Sequence, residues 1–117
     1  MTTNLVLEIL VLLSIKHFIL DFPLQTQYHI LHKGIYGHPG GLQHAGLHGI
    51  GTFFCLFFFV PMFAVTAAIA DAIIHYHVDW IKMKFGNQNI QNSMFWTHLG
   101  LDQLAHTLTY IAIVACI

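Results

Sequence analysis

Four apolar segments of about twenty residues dominate this 117-residue chain, and an α-helix needs about that length to cross the hydrocarbon core of a bilayer. Charged residues make up only 8% of the sequence, about a third of their share in soluble domains, so a water-soluble globule is nearly excluded. Four lysines, no arginine and a formal net charge of −1 also leave no basic patch typical of nucleic-acid binding. The sequence therefore predicts an all-α integral membrane protein with one domain, 1–117, and no nucleic-acid partner.

Turn-forming residues divide the chain into four spans, which we expect to form an antiparallel, up-down four-helix bundle. The predicted spans cover about 4–22, 42–60, 63–85 and 93–115. Pro23 ends the first span, and Pro61 is interpreted as a tight turn between the second and third, with one long kinked helix as the alternative. No basic segment precedes the first apolar run and no small-residue cleavage site follows it, so we expect a span rather than a signal peptide.

The lysines predict the orientation of this bundle. Lys33 lies in the first of the two longer connections, Lys82 and Lys84 adjoin the second, and Lys16 lies in the nearer half of the first span. By the positive-inside rule, these connections are cytoplasmic and both termini lie outside.

Each predicted span carries a pair of ionisable residues four positions apart, a spacing that places both side chains on one helix face. The pairs are His17 and Asp21, His44 and His48, His75 and Asp79, and Asp102 and His106. An antiparallel bundle brings all four pairs to a similar depth, where each polar group without a partner would cost on the order of a few kcal/mol. The pattern predicts a metal centre; a metal-free hydrogen-bond network or a proton relay is the alternative.

Five imidazoles and three carboxylates suit one or two divalent transition-metal ions, with zinc as the first choice and iron, manganese or cobalt as alternatives. Four further side chains are predicted to bind substrate or to orient the ligands: Gln25, Lys33, Lys82 and Gln103. Asp71 and His98 continue two of the ligand stripes by one turn, and we expect them either behind the ligands or outside the site.

The order of these motifs resembles a domain-of-unknown-function family of small integral membrane proteins found in bacteria and their phages. The residues that carry the resemblance are His17-x-x-x-Asp21-Phe22-x-Leu24-Gln25, Lys33, His44-x-x-x-His48, His75-x-x-x-Asp79-x-x-Lys82 and Asp102-Gln103-x-x-His106. The family is similar to predicted membrane-bound metal-dependent hydrolases, so the resemblance implies a bacterial inner-membrane location and hydrolysis at a metal. The chain departs from the pattern by its very short turn between the second and third spans and by its lack of arginine, so we expect no substrate contact from arginine.

Three functions of different classes fit these residues. In a membrane-embedded hydrolase, a metal-activated water would attack an ester, phosphoester or amide, with Asp21, Asp79 and Asp102 as ligands or proton acceptors. Lys33 and Lys82 would then hold the phosphate of a lipid head group. An ion or proton carrier is the second function, and the clustering of the pairs at one level argues against it. The third is a structural protein in which metal staples the helices and function lies in a homo-oligomer or a protein partner.

Overall fold

The computed structural model describes residues 2–117, which form five α-helices and, within that range, no β-strand. The helices are α1 (Thr3–Asp21), α2 (Gln27–His32), α3 (Pro39–Phe57), α4 (Pro61–Phe85) and α5 (Ser93–Ala115). The all-α prediction is therefore confirmed. Two of these helices, α1 and α4, have the length and the apolar composition needed to cross a membrane, whereas four such helices were expected.

The short helix α2 was not expected from the sequence, and Thr26 explains how it begins. The Thr26 side chain accepts the backbone N–H of His29 at 3.2 Å, and His29 Nδ1 accepts the backbone N–H of Thr26 at 3.3 Å. This reciprocal capping satisfies two N–H groups that a helix start leaves free. It folds a segment that was expected to be a plain connection.

Proline sets the start of α3 and of α4. The helix α3 starts at Pro39, three residues before the expected residue 42, because His38 Nδ1 accepts the backbone N–H of Gly40 at 3.0 Å and proline fits the first helical turn. It ends at Phe57, and α4 starts at Pro61. A turn, rather than one long kinked helix, therefore joins α3 to α4.

The four long helices form a ring in which each one packs against two neighbours: α1 and α4 both pack against α3 and α5. The helix α2 lies against α3. Lys16 packs against Gly51, whereas Asp21 meets His44, so facing residues run in opposite order along α1 and α3. The same reversal holds for the other three neighbouring pairs, and adjacent helices are therefore antiparallel.

Polar and apolar side chains occupy opposite halves of the bundle interior. One half is an apolar core, formed by Ile9, Leu13, Leu56, Ala64, Ala67, Tyr110, Ile113 and Val114. Among residues 2–117, fourteen polar side chains are buried against ten hydrophobic ones, whereas thirty-three large hydrophobic side chains are exposed. This distribution is the reverse of that in soluble domains, whose charged side chains almost never lie fully inside.

The helices α3 and α4 approach closely at Gly49, and this contact generates a prediction. A Cβ atom at Gly49 would lie 2.8 Å from the Ala68 carbonyl oxygen and 3.0 Å from Ala72 Cβ, whereas a Cβ at Gly46 would meet nothing within 4 Å. Alanine normally favours a helix over glycine by about 1 kcal/mol. We expect Gly46→Ala to raise the melting temperature and Gly49→Ala to lower it, since the helices must separate. Circular dichroism of the purified variants measures this, and equal melting temperatures would contradict the close approach.

Candidate metal centre

The Asp21 carboxylate, at the last residue of α1, lies where several helices meet. Its Oδ1 atom is 2.8 Å from His48 Nε2 and 3.1 Å from His44 Nε2, both on α3. Its Oδ2 atom is 3.1 Å from His17 Nε2 and accepts Gln103 Nε2 of α5 at 3.3 Å. With His75 Nε2 of α4 at 3.5 Å from Oδ1, this one carboxylate contacts side chains from all four long helices.

The Asp79 carboxylate closes this cluster from α4. Its Oδ2 atom lies 3.2 Å from His44 Nε2 and 3.2 Å from His75 Nε2, and the two ε-nitrogens are 3.2 Å apart. Its Oδ1 atom lies 3.2 Å from His106 Nε2 on α5. His75 Nε2 also lies 3.5 Å from Asp21 Oδ1, so His75 joins the two carboxylates.

Asp102 is the third carboxylate of the cluster, and one of its oxygens has no hydrogen-bond donor. Its Oδ2 atom accepts Gln103 Nε2 at 3.0 Å and Lys82 Nζ at 3.3 Å. Its Oδ1 atom is buried and lies 3.4 Å from His106 Nε2 without forming a hydrogen bond. A buried oxygen left in this way is costly unless a cation or another donor meets it.

The eight residues that the sequence assigns to a metal centre lie together in the folded chain. They form three overlapping groups, and within each group the candidate ligand atoms all lie within 4.8 Å of one another. The groups are His17, Asp21, His48 and His75; Asp21, His44, His75 and Asp79; and Asp21, Asp102 and His106. All eight residues are buried and Asp21 belongs to every group, so these side chains could hold a metal ion.

The lysines predicted to meet substrate contact the carboxylates of this cluster. Lys33 Nζ lies 3.4 Å from Asp79 Oδ2 and donates to Gln25 Oε1 at 2.7 Å. Lys82 pairs with Asp102. The helix α2 positions Lys33, which follows it directly and lies 5% exposed at the end of the bundle. The lysines therefore offset the negative charge of the cluster.

The two glutamines singled out in the sequence, Gln25 and Gln103, both contact Asp21 at the end of α1. Gln103 Oε1 lies 2.8 Å from His17 Nε2, and the amide nitrogen of Gln103 donates to both Asp21 and Asp102. Gln25 donates to the backbone carbonyl of Asp21. Both glutamines thus contact carboxylate-bearing residues of the cluster, and such contacts orient candidate ligands.

A second buried polar layer lies behind the cluster, and sequence reasoning found only part of it. Lys16 Nζ lies 3.0 Å from Asp71 Oδ2 and donates to the Tyr110 hydroxyl at 3.0 Å. Thr52 donates to Asp71 Oδ2 at 2.6 Å. Lys16 is only 8% exposed, and Asp71 and Tyr110 receive its ammonium group inside the bundle.

This layer reaches two candidate ligands through their δ-nitrogens, on the ring edge opposite the ε-nitrogens that face the cluster. The Tyr110 hydroxyl lies 2.9 Å from His17 Nδ1, and Lys16 Nζ lies 3.4 Å from His48 Nδ1. Such contacts orient an imidazole. Tyr110 follows His106 by four residues, so continuing the ligand stripes by one turn would have found it.

Two other histidines, His29 and His98, lie outside the cluster. His29, in α2, is buried, and its Nε2 atom lies 2.7 Å from Gln43 Oε1. His98 accepts the backbone N–H of Asn87 at 2.8 Å and belongs to none of the three groups.

The fold and the site together define an all-α protein with a buried histidine and aspartate cluster. The chain belongs to the family described as Protein of unknown function (DUF3307), which matches residues 9–117. This membership agrees with the expected domain-of-unknown-function family. Neither a curated protein nor a solved structure matches the chain.

The buried pair of Lys16 and Asp71 generates a prediction for stability. Asp71→Asn leaves the lysine charge buried without its counter-ion, so we expect a loss of about 3–5 kcal/mol in the free energy of unfolding. A double variant, Lys16→Met with Asp71→Asn, removes both charges and is expected to lose less than the sum of the single changes. Glu8→Gln, which neutralises an exposed carboxylate of α1, is the control. Additive losses in chemical unfolding would contradict a direct interaction of the pair.

Proposed function

We propose that this chain is an integral membrane protein whose four long helices span the bilayer around a metal centre at one end. The observation that carries the proposal is the convergence of five imidazole ε-nitrogens on the carboxylates of Asp21, Asp79 and Asp102. Nitrogen and oxygen ligands of this kind suit zinc first, then iron or manganese. Because Asp21 belongs to all three groups, it would be a ligand in whichever of them holds a metal ion.

The outer surface of the bundle supports the membrane location. Its exposed side chains are rich in leucine, isoleucine and phenylalanine, and the molecule is 44 Å long, close to the roughly 40–45 Å of a bilayer with its head groups. The end with the site also carries all four lysines, and we place it on the cytoplasmic side of a bacterial inner membrane, with both termini outside.

Hydrolysis is the reaction that this centre supports best. A divalent ion would supply a Lewis acid that polarises substrate oxygen and activates water. Asp102 belongs both to the cluster and to the lining of a cavity of about 350 Å³ between α4 and α5, whereas Asp21 and Asp79 do not line that cavity. We therefore assign Asp102 as the carboxylate that meets the substrate and accepts a proton from the attacking water.

The apolar half of the bundle argues against a carrier. An ion path needs polar groups across the whole membrane. Behind the layer of Lys16 and Asp71, the interior consists of the apolar core around Ile9, Leu13 and Leu56. Within residues 2–117, the polar groups of the interior thus occupy only one end of the bundle, and they do not form a path for an ion from one end to the other.

The metal content of the purified protein tests the centre. Extracted from washed membranes in mild detergent, the protein is expected to hold about one or two divalent transition-metal ions per chain. His48→Ala and Asp102→Ala should lose most of this metal, because each removes a ligand. His77→Ala is the control, since His77 lies outside the cluster and bonds the Tyr36 hydroxyl at 2.9 Å. Metal-free wild-type protein, or equal metal in all variants by elemental analysis, would contradict the proposal.

Turnover tests the hydrolase separately. We expect hydrolysis of long-chain nitrophenyl carboxylate or phosphate esters that stops with EDTA and returns with zinc. Asp102→Asn should lower kcat by about 100-fold or more, since general acid–base groups contribute that much. Glu8→Gln should leave kcat unchanged. Metal-loaded protein that cleaves no ester, phosphoester or amide would instead favour a structural role with a protein partner.

A further inference from the structure

Two adjoining cavities, the first of them lined by Asp102, differ in the residues that line them. The first, of about 350 Å³, lies between α4 and α5 and has mainly apolar walls. The residues that form these walls are Val78, Ile81, Phe85, Leu101 and Ala105. Ile81 and Leu101 are also exposed on the outer surface of the bundle, so the cavity is a groove open to the side. In a bilayer, an alkyl chain would reach this groove without leaving the membrane.

The second cavity, of about 190 Å³, lies toward the end of the bundle, and six of its ten lining residues are polar. Its polar residues are Gln25, Lys33, Lys82, Asn87, Gln88 and His98. Lys82 and His98 line both cavities, so the two spaces adjoin. Among the described residues, the lining of the second cavity includes two lysines and no carboxylate.

We propose that the two cavities bind one lipid phosphate, with its alkyl chain in the α4–α5 groove and its phosphate group in the polar cavity. The proposal rests on the proposed function, because it names the substrate class of the same centre. The ammonium groups of Lys33 and Lys82 contact Asp79 and Asp102 behind the cavity, at 3.4 and 3.3 Å, but each ammonium has three N–H donors and can also donate to a phosphate oxygen. Charge-assisted hydrogen bonds of this kind are strong. An apolar groove that adjoins a cavity with two lysines matches an amphiphile whose alkyl chain adjoins an anionic head group.

The contact between Lys82 and Asp102 relates this site to the chemistry. Lys82 Nζ lies 3.3 Å from Asp102 Oδ2, so a phosphate held by Lys82 lies beside the carboxylate that we assign to proton transfer. Water would attack phosphorus and pass one proton to Asp102. The bond between phosphorus and the alkyl oxygen would break, and that oxygen would take up the proton. The products are a long-chain alcohol and inorganic phosphate.

Binding of radiolabelled dodecyl phosphate to the purified protein in a neutral detergent, measured in the cold and only while chromatography finds no labelled inorganic phosphate, tests the proposal separately from turnover. Leu101→Trp fills the groove and is expected to weaken binding about tenfold, because methylene groups lose their site. Leu104→Trp is the matched control: Leu104 is 51% exposed against 58% for Leu101, lies on the same helix and does not line the groove.

A second matched pair of variants, at Lys82 and Lys84, tests whether the lysine charge in the polar cavity contributes to binding. Lys82→Gln should weaken dodecyl phosphate binding about tenfold or more, since a charge-assisted hydrogen bond is lost. Lys84→Gln should leave it unchanged, because Lys84 lies over the Trp80 ring, 5.2 Å from its centroid, and lines neither cavity. Inorganic phosphate and dodecanol should each bind about tenfold more weakly than dodecyl phosphate, since each lacks one half of the ligand.

Equal binding within either matched pair would overturn the lipid site, as would inorganic phosphate binding as tightly as dodecyl phosphate. Elemental analysis of the same samples keeps this result separate from the metal centre. Metal-free wild-type protein overturns the proposed centre, whereas metal-loaded protein that fails to discriminate among the ligands overturns the lipid site alone. Leu101 and Leu104 are both exposed, so both tryptophan variants should fold, and their circular dichroism spectra check this.

Discussion

The Asp21 carboxylate is the contact on which the arrangement of the helices depends. It ends α1 and lies within 3.5 Å of imidazoles from α1, α3 and α4, and Gln103 brings in α5. A buried carboxylate is tolerable only when paired, and here four helices must each deliver a partner. The antiparallel order of the neighbours follows from the same requirement, because only that order brings the end of α1 and the start of α3 to one level.

The interior is divided because two different forces hold its two halves together. In one half, side chains such as Ile9 and Leu56 pack by shape and dispersion. In the other, charges are matched one against another, with Lys16 on Asp71, Lys33 on Asp79 and the imidazoles on Asp21. The layer behind the cluster contacts the rear edges of two imidazoles, so it restricts the rings whose front edges converge. A centre built this way is oriented before anything binds to it.

Much of the cluster could be predicted from the sequence, because a spacing of four residues on a helix determines which side chains share a face. Four such pairs at similar distances from the helix ends indicated one common level. The helix α2 could not be predicted in this way, since six residues are too few to show a helical period and its start depends on the cap at Thr26. The burial of Lys16 could not be predicted from its position alone, because a lysine near a helix end usually reaches water and its partner Asp71 lies 55 positions away.

The sequence alone determined the helical class, the apolar exterior and the identity of the eight clustered residues, because composition and helical period are local properties. The tertiary structure alone decided which partner each of them meets, that Asp21 is shared by all three groups, and that Asp102 keeps one oxygen without a donor. It also placed an apolar groove next to that carboxylate, and a cavity with two lysines beside the groove, one of which, Lys82, contacts the same carboxylate. These features depend on how distant helices pack against one another, and the distance between two such helices is not written in the spacing of either one.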